Sequence, residues 1–298
     1  MIVLYCIYIT PICLRGLGDC RITFPRISSL LTVTQLKFIL LPSRTSLISH
    51  LSHTPQSDCQ TPYLPKKMSE SFIKTLQDLT FHPYSSAPVA TTLQHDHLKI
   101  QAPKLVDWWR NPEPVKVNRK DGPFAHIAID GSRPFQAEVW LRSGLKGLYD
   151  QACLVLHGGE LADTSAHWLK TGTETFDERQ WINAVVAAPW CDVSTVPSNR
   201  ELSSEASGDW IYLKLVKELS ITGHTILIKW SQQSIVDIDN PPTEDELANL
   251  REVQAFGVKE NGERSDDFNW SIGVMVSGLM NDEGAFAEFR GFKFKYLD

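Results

Sequence analysis

This sequence predicts an all-β sandwich of antiparallel sheets, on three observations. More than ten short runs alternate apolar and polar residues, the period-2 pattern of strands with one buried face. Turn-forming Gly, Pro, Asn and Asp separate the runs, and helix-period segments are almost absent, as in sandwiches and barrels. Nine tryptophans suit strands, cores and stacking surfaces alike.

Taken in order, residues 1–67 differ from the rest. They contain no glutamate and carry seven Lys/Arg against two acids, while the remainder carries 22 against 33. Their apolar run IVLYCIYITPICL is broken by Pro11, and it is too short for a transmembrane helix and lacks the basic flank of a secretory signal. Lys66-Lys67-Met68-Ser69-Glu70 resembles a natural start. The stretch upstream is expected to be translated non-coding sequence or disordered extension, with a transit peptide second. Residues 68–298 are then one β-sandwich domain, long enough to bury a large core.

Ser69–Leu79 is expected to form a short helix capped by Ser69 or Ser71. Strands are predicted at His97–Ala102, Phe124–Asp130, Phe135–Arg142, Tyr149–His157, Trp168–Glu174, Gln180–Ala188, Trp190–Val196, Trp210–Glu218, Thr225–Ser231, Leu250–Phe256, Trp270–Ser277 and Ala285–Leu297. LVDWWRNPEP reads as a loop. Ile235–Leu250, acidic and broken by Pro241-Pro242, reads as a surface insertion with a short helix at Glu244–Leu250.

The acidic body argues against nucleic acid or an anionic membrane as partner. Cys153 and Cys191, the two cysteines of the body, have no zinc-ligand spacing and are expected to be free buried thiols. That places the chain in a reducing, cytoplasmic compartment. Walker, G-x-G-x-x-G and metal-binding strings are absent, so neither cofactor nor metal is expected.

Three strings in succession, LYDQACLVL, HWLKTGTETF and QWINAVV, together with VDWWR upstream and FRGFKF near the end, resemble the regulation-of-enolase family. The similarity runs from about His97 to Asp298. It implies a concanavalin A-like lectin/glucanase jelly roll with one concave outer face, and a link to enolase, a glycolytic enzyme, as protein partner. The sequence departs from the family pattern at Cys153, where glycine is usual, at APWCDVST, and in a longer insertion around Ile235–Leu250.

Strand alternation divides the central chemistry. If Ala152, Leu154, Leu156 and Leu169 point inward, then Tyr149, Gln151, Trp168, Lys170, Glu174, Trp181 and Asn183 face outward. Lys170 is expected near Gln151 or Asn183, with Trp108 and Trp109 at the rim. Aromatic platforms beside amides and an acid suit a carbohydrate; Lys170–Glu174 as an ion pair amid packed tryptophans is the structural alternative. Catalysis is not expected: a retaining glycosidase needs two carboxyls about 5–5.5 Å apart, and Glu174 lacks an evident second acid. A glucanase-like hydrolase using Glu174 is the runner-up.

Overall fold

A computed structural model describes residues 73–82, 85–144, 146–201, 209–220, 223–258 and 269–297. The N-terminal extension 1–67 and the helix caps Ser69 and Ser71 lie outside the described residues. Sixteen strands run through the described part: β1 Thr80–Phe81, β2 Ala90–Gln94, β3 His97–Gln101, β4 Trp108–Arg110, β5 Asn118–Lys120, β6 Phe124–Asp130, β7 Phe135–Ser143, β8 Asp150–His157, β9 Trp168–Phe176, β10 Arg179–Ala187, β11 Cys191–Glu201, β12 Trp210–Ser220, β13 Gly223–Gln233, β14 Ala248–Val253, β15 Asn269–Gly278 and β16 Phe286–Tyr296. One antiparallel sheet has the order β1-β6-β15-β8-β9-β10-β11 and the other β14-β13-β12-β7-β16-β3-β2. Late strands insert between early ones, β15 between β6 and β8 and β16 between β3 and β7, which makes this a concanavalin A-like jelly roll rather than a meander.

The core lies between the two sheets. Ala152, Leu154 and Leu156 of β8, Leu169 of β9, and Ile182, Ala184 and Val186 of β10 meet Phe135, Ala137, Val139 and Leu141 of β7 and Leu213 and Leu215 of β12. Each large apolar side chain removed from water contributes about 1.5–3 kcal/mol. Period-2 geometry then turns Gln151, Cys153, Val155, Lys170, Gly172 and Glu174 to the outer side.

That outer side is partly covered. All eight residues of β8 are buried, because Trp108, Phe124, Cys153, Val155, Trp168 and Val185 form a second apolar cluster outside the sheet. Here the structure corrects the sequence reading of Asp107–Arg110 as a loop. It is β4, paired with β5 in the register Trp108↔Lys120 and Arg110↔Asn118. The prolines of the connecting NPEPVK suggested irregular chain; the hairpin forms because Trp108 inserts into apolar surface that period-2 alternation leaves on the outer face.

Two cations fasten this cover, Arg110 buried and Lys120 partly buried. The Arg110 guanidinium donates to the carbonyls of Ser165, Pro189, Thr164 and Ala166 at 3.3, 3.0, 2.5 and 3.1 Å. Lys120 Nζ donates to the Leu161 and Asp163 carbonyls at 2.7 and 2.9 Å and lies 2.9 Å from His157 Nε2. His157 therefore accepts through Nε2, with Nδ1–H directed to the Gly159 carbonyl at 3.2 Å. Burial pushes the Lys120 pKa down to about 8 and that of His157 to about 3.

Other elements differ from expectation in detail. Within the described part of the expected Ser69–Leu79 helix there is one 3₁₀ turn, Leu76–Asp78, inside which Leu76 is buried. The segment after β13 lies over the outer face of the second sheet, where Val236 and Leu247 pack on Trp140, Trp210 and Tyr212. Its expected helix is a 3₁₀ turn at Glu244–Glu246, and β14 begins earlier than predicted. Among the described residues, no helix is long and apolar enough to cross a membrane.

Candidate functional site

The strand register sets the outer-face chemistry. Glu174 of β9 lies directly opposite Gln151 of β8 and Trp181 of β10, while Gly172 lies opposite Cys153 and Asn183. Gln151 Nε2 donates to Glu174 Oε1 at 3.0 Å and Asn183 Nδ2 donates to Oε2 at 2.8 Å. The carboxylate is thus held from both neighbouring strands, one amide on each oxygen. Gln151 and Asn183 are buried, whereas Glu174, Tyr149, Phe176 and Trp181 remain partly exposed. Together these four make up the partly exposed outer face around the carboxylate. Tyr149 stacks on Phe176 with ring centroids 6.1 Å apart, and the Trp181 indole N–H donates to the Phe176 carbonyl at 2.8 Å. Both aromatic walls are therefore fixed in orientation.

Gly172 shapes the floor. A Cβ there would lie 1.9 Å from the Ala152 carbonyl oxygen and 2.7 Å from Cys153 Cα, far inside van der Waals contact. Only glycine lets β8 approach this closely, and it leaves no side chain beside Asn183.

The electrostatics follow from burial. The Glu174 carboxylate, though its residue is partly exposed, is surrounded closely enough that desolvation raises its pKa; Lys170 and the two amides offset only part of that. Burial also raises the Tyr149 hydroxyl, with Glu174 adding to the shift. The Cys153 thiol is pushed up to about 12 and that of Cys191 to about 11. Both cysteines are free thiols, but Cys191 is only partly buried, because β11 ends the sheet.

Lys170 and the tryptophans are placed differently from the sequence expectation. Lys170 lies opposite Val155 and Val185, not beside Gln151 or Asn183. Its ammonium donates to Asp107 Oδ1 at 3.2 Å and to the Trp108 carbonyl at 2.5 Å. It is fully buried, 5.8 Å from the Trp109 ring centroid and 5.7 Å from that of Trp168. Neither a ligand-facing lysine nor the alternative Lys170–Glu174 pair is present: Gly172 lies between Lys170 and Glu174 on the same face, and Asp107, the residue just before β4, reaches the lysine instead. Trp168 is buried edge-on against Trp108, centroids 5.8 Å apart, and is packing rather than platform. Trp109 is partly exposed and covers Lys170, away from Glu174. The group around Glu174 therefore gathers Tyr149, Gln151 and Asn183, and leaves out Trp109, Trp168 and Lys170. Phe176, the second member of the aromatic wall, was not singled out by sequence; its i+2 relation to Glu174 on one strand was the available signal.

Asp107 is the acid nearest in effect to Glu174. It is buried, and one of its oxygens accepts from both Lys170 and the Trp108 amide. Among the described residues, no group of three His, Cys, Asp or Glu side chains is placed to hold a metal ion.

Fold and face together define an antiparallel jelly-roll sandwich carrying, on one outer sheet face, a carboxylate held by two amides and flanked by partly exposed aromatic rings. The chain belongs to a family described as a protein of unknown function (DUF1349), whose model matches residues 84–234. No curated protein sequence matches it. Among solved structures, a functionally unknown protein from Saccharomyces cerevisiae is similar at 18% identity and a TM-score of 0.54, over 76% of this chain and 100% of that one. A GH43 glycoside hydrolase aligns at 14% identity and a TM-score of 0.46, over 74% of this chain and 41% of that one. Lectin I-B4 from Griffonia simplicifolia aligns at 9% identity and a TM-score of 0.41, over 77% and 100%. The yeast likeness is one of fold alone, and the two looser ones support no functional statement.

Proposed function

We propose that this protein is a non-catalytic binding module that takes a polyhydroxylated ligand, a carbohydrate, on the outer face around Glu174. The observation that carries this is the carboxylate held rigid by Gln151 and Asn183 between fixed aromatic walls. An oriented acceptor beside apolar ring faces suits a sugar, whose C–H face stacks while its hydroxyls donate. Hydrolysis by Glu174 is disfavoured. Asp107, the acid coupled to it among the described residues, is committed to Lys170 beneath Trp109 and is not available as a nucleophile or base. The resemblance to the regulation-of-enolase family makes enolase the protein partner to test beside the sugar, in a cytoplasmic setting.

The test is a glycan array probed with the full chain, wild type and Glu174→Ala, each checked by far-UV circular dichroism. Binding to a defined glycan class that is lost in folded Glu174→Ala is the expected result. Absence of any glycan signal, or equal binding by the folded variant, overturns the carbohydrate reading. Pull-down of purified enolase by wild type tests the protein partner separately.

A further inference from the structure

Glu174, partly exposed as a residue but with its carboxylate closely surrounded, has no cation of its own among the described residues. Among the described residues, no ammonium or guanidinium stands within ion-pair distance of it. Lys170, whose charge reaches it, is paired with Asp107 at 3.2 Å and boxed between Trp109 and Trp168. Counting Asp107, Lys170 and Glu174 together, the cluster carries one uncompensated negative charge whenever Glu174 is ionised. The two amides that hold Glu174 add to it. Each turns its NH₂ to the carboxylate, so Gln151 Oε1 and Asn183 Oδ1 are left buried without a hydrogen-bond partner. These two oxygens place further negative potential, unneutralised, beside the same carboxylate. A buried charge is stable only when paired or neutralised, and the protein supplies no partner. A neutral sugar hydroxyl donates one hydrogen bond but leaves the charge in place. A ligand cation removes it.

We propose that the ligand of this face carries a free primary ammonium, as in a hexosamine whose amine is not acetylated, and that Glu174 receives that ammonium as its ion-pair partner. This deepens the binding reading above and rests on it. A primary ammonium is compact and presents three donors, which suits a single carboxylate between Tyr149 and Trp181. Binding is then linked to protons, because the ammonium replaces the proton that burial favours on Glu174. Of the other groups around it, Tyr149, Cys153 and Cys191 stay protonated and Lys170 stays charged; Asp107 is hydrogen-bonded to Lys170.

The experiment is calorimetric titration of the full chain with three β-1,4-linked tetrasaccharides that differ only at C2: glucosamine, N-acetylglucosamine and glucose. The expected result is at least tenfold tighter binding of the glucosamine tetramer, with the preference erased in Glu174→Gln. The binding enthalpy of wild type should also vary with the ionisation enthalpy of the buffer, showing proton release. That second readout needs no variant, so it decides the matter should Glu174→Gln fail to fold. Equal binding of the glucose and glucosamine tetramers, or a preference that survives in folded Glu174→Gln, overturns the ammonium assignment and leaves the carbohydrate reading standing. Failure of all three tetramers to bind, with no glycan bound on the array, sinks both.

Discussion

Replacing Lys170 by methionine is the sharpest perturbation of this face. The substitution keeps the length and apolar stem but deletes an ammonium that is fully buried and bonded to Asp107 and the Trp108 carbonyl. Asp107, 4% exposed, would retain the Trp108 amide at 2.7 Å but lose its counter-charge. Removing one member of a buried ion pair costs about 3–5 kcal/mol. With a urea slope of about 3 kcal/mol per molar, the unfolding midpoint falls by roughly 1–1.7 M. Tryptophan fluorescence reports it directly, since Trp109 and Trp168 both flank the ammonium. The double variant Asp107→Asn/Lys170→Met removes both charges and should recover about 2 kcal/mol or more of the loss. Burial lowers the Lys170 pKa, but Asp107 together with Cys153, Glu174 and Cys191 outweighs it and the net shift is upward. The stabilisation is therefore complete below the usual lysine pKa of about 10.4 and fades only as pH rises through the higher folded value; the cost should be the same at pH 7 and pH 9. A loss under about 1 kcal/mol in the single variant, or a double variant as unstable as the two singles added, would refute the reasoning.

Three further outcomes are expected. Because the folded pKa of Glu174 is raised, the folded state holds its proton longer than the unfolded chain. Wild type should lose stability as pH rises from about 4.3 through that folded value, and Glu174→Gln should lack this loss in pH-dependent urea melts, being at least as stable as wild type at pH 7. His157, depressed to about 3, acts with the opposite sign: stability is lost as pH falls below about 6.5. His157→Phe should cost about 1–3 kcal/mol at pH 7 by depriving Lys120 of an acceptor, yet show a shallower acid decline; an unchanged slope would contradict the tautomer drawn here. Arg110→Lys keeps the charge but cannot reach four carbonyls, so the 158–167 connection should be cleaved several-fold faster in limited proteolysis while the far-UV spectrum is unchanged.

The sequence alone determined the fold class, most strand positions and the polarity of the central strands. Period-2 alternation is local, so Ala152 inward dictates Gln151 outward, and Leu169 inward dictates Lys170 and Glu174 outward. The register is not legible: the sequence suggests Lys170 beside Gln151 or Asn183, and the structure puts Glu174 there. Strands of low contrast were missed: β2, ATTLQ, is exposed at every residue and carries no burial signal, and β4 was hidden by its tryptophan pair and the prolines that follow. Only the tertiary structure decided what the outward face meets. Asp107 stands 63 residues before Lys170 in the chain, and Arg110 reaches carbonyls more than 50 residues away. No local pattern encodes such pairings, because they depend on where the β4–β5 hairpin folds back over the sheet. That single packing event turns Lys170 from a surface charge into the buried partner of Asp107, and leaves Glu174 as the unpaired charge of this face.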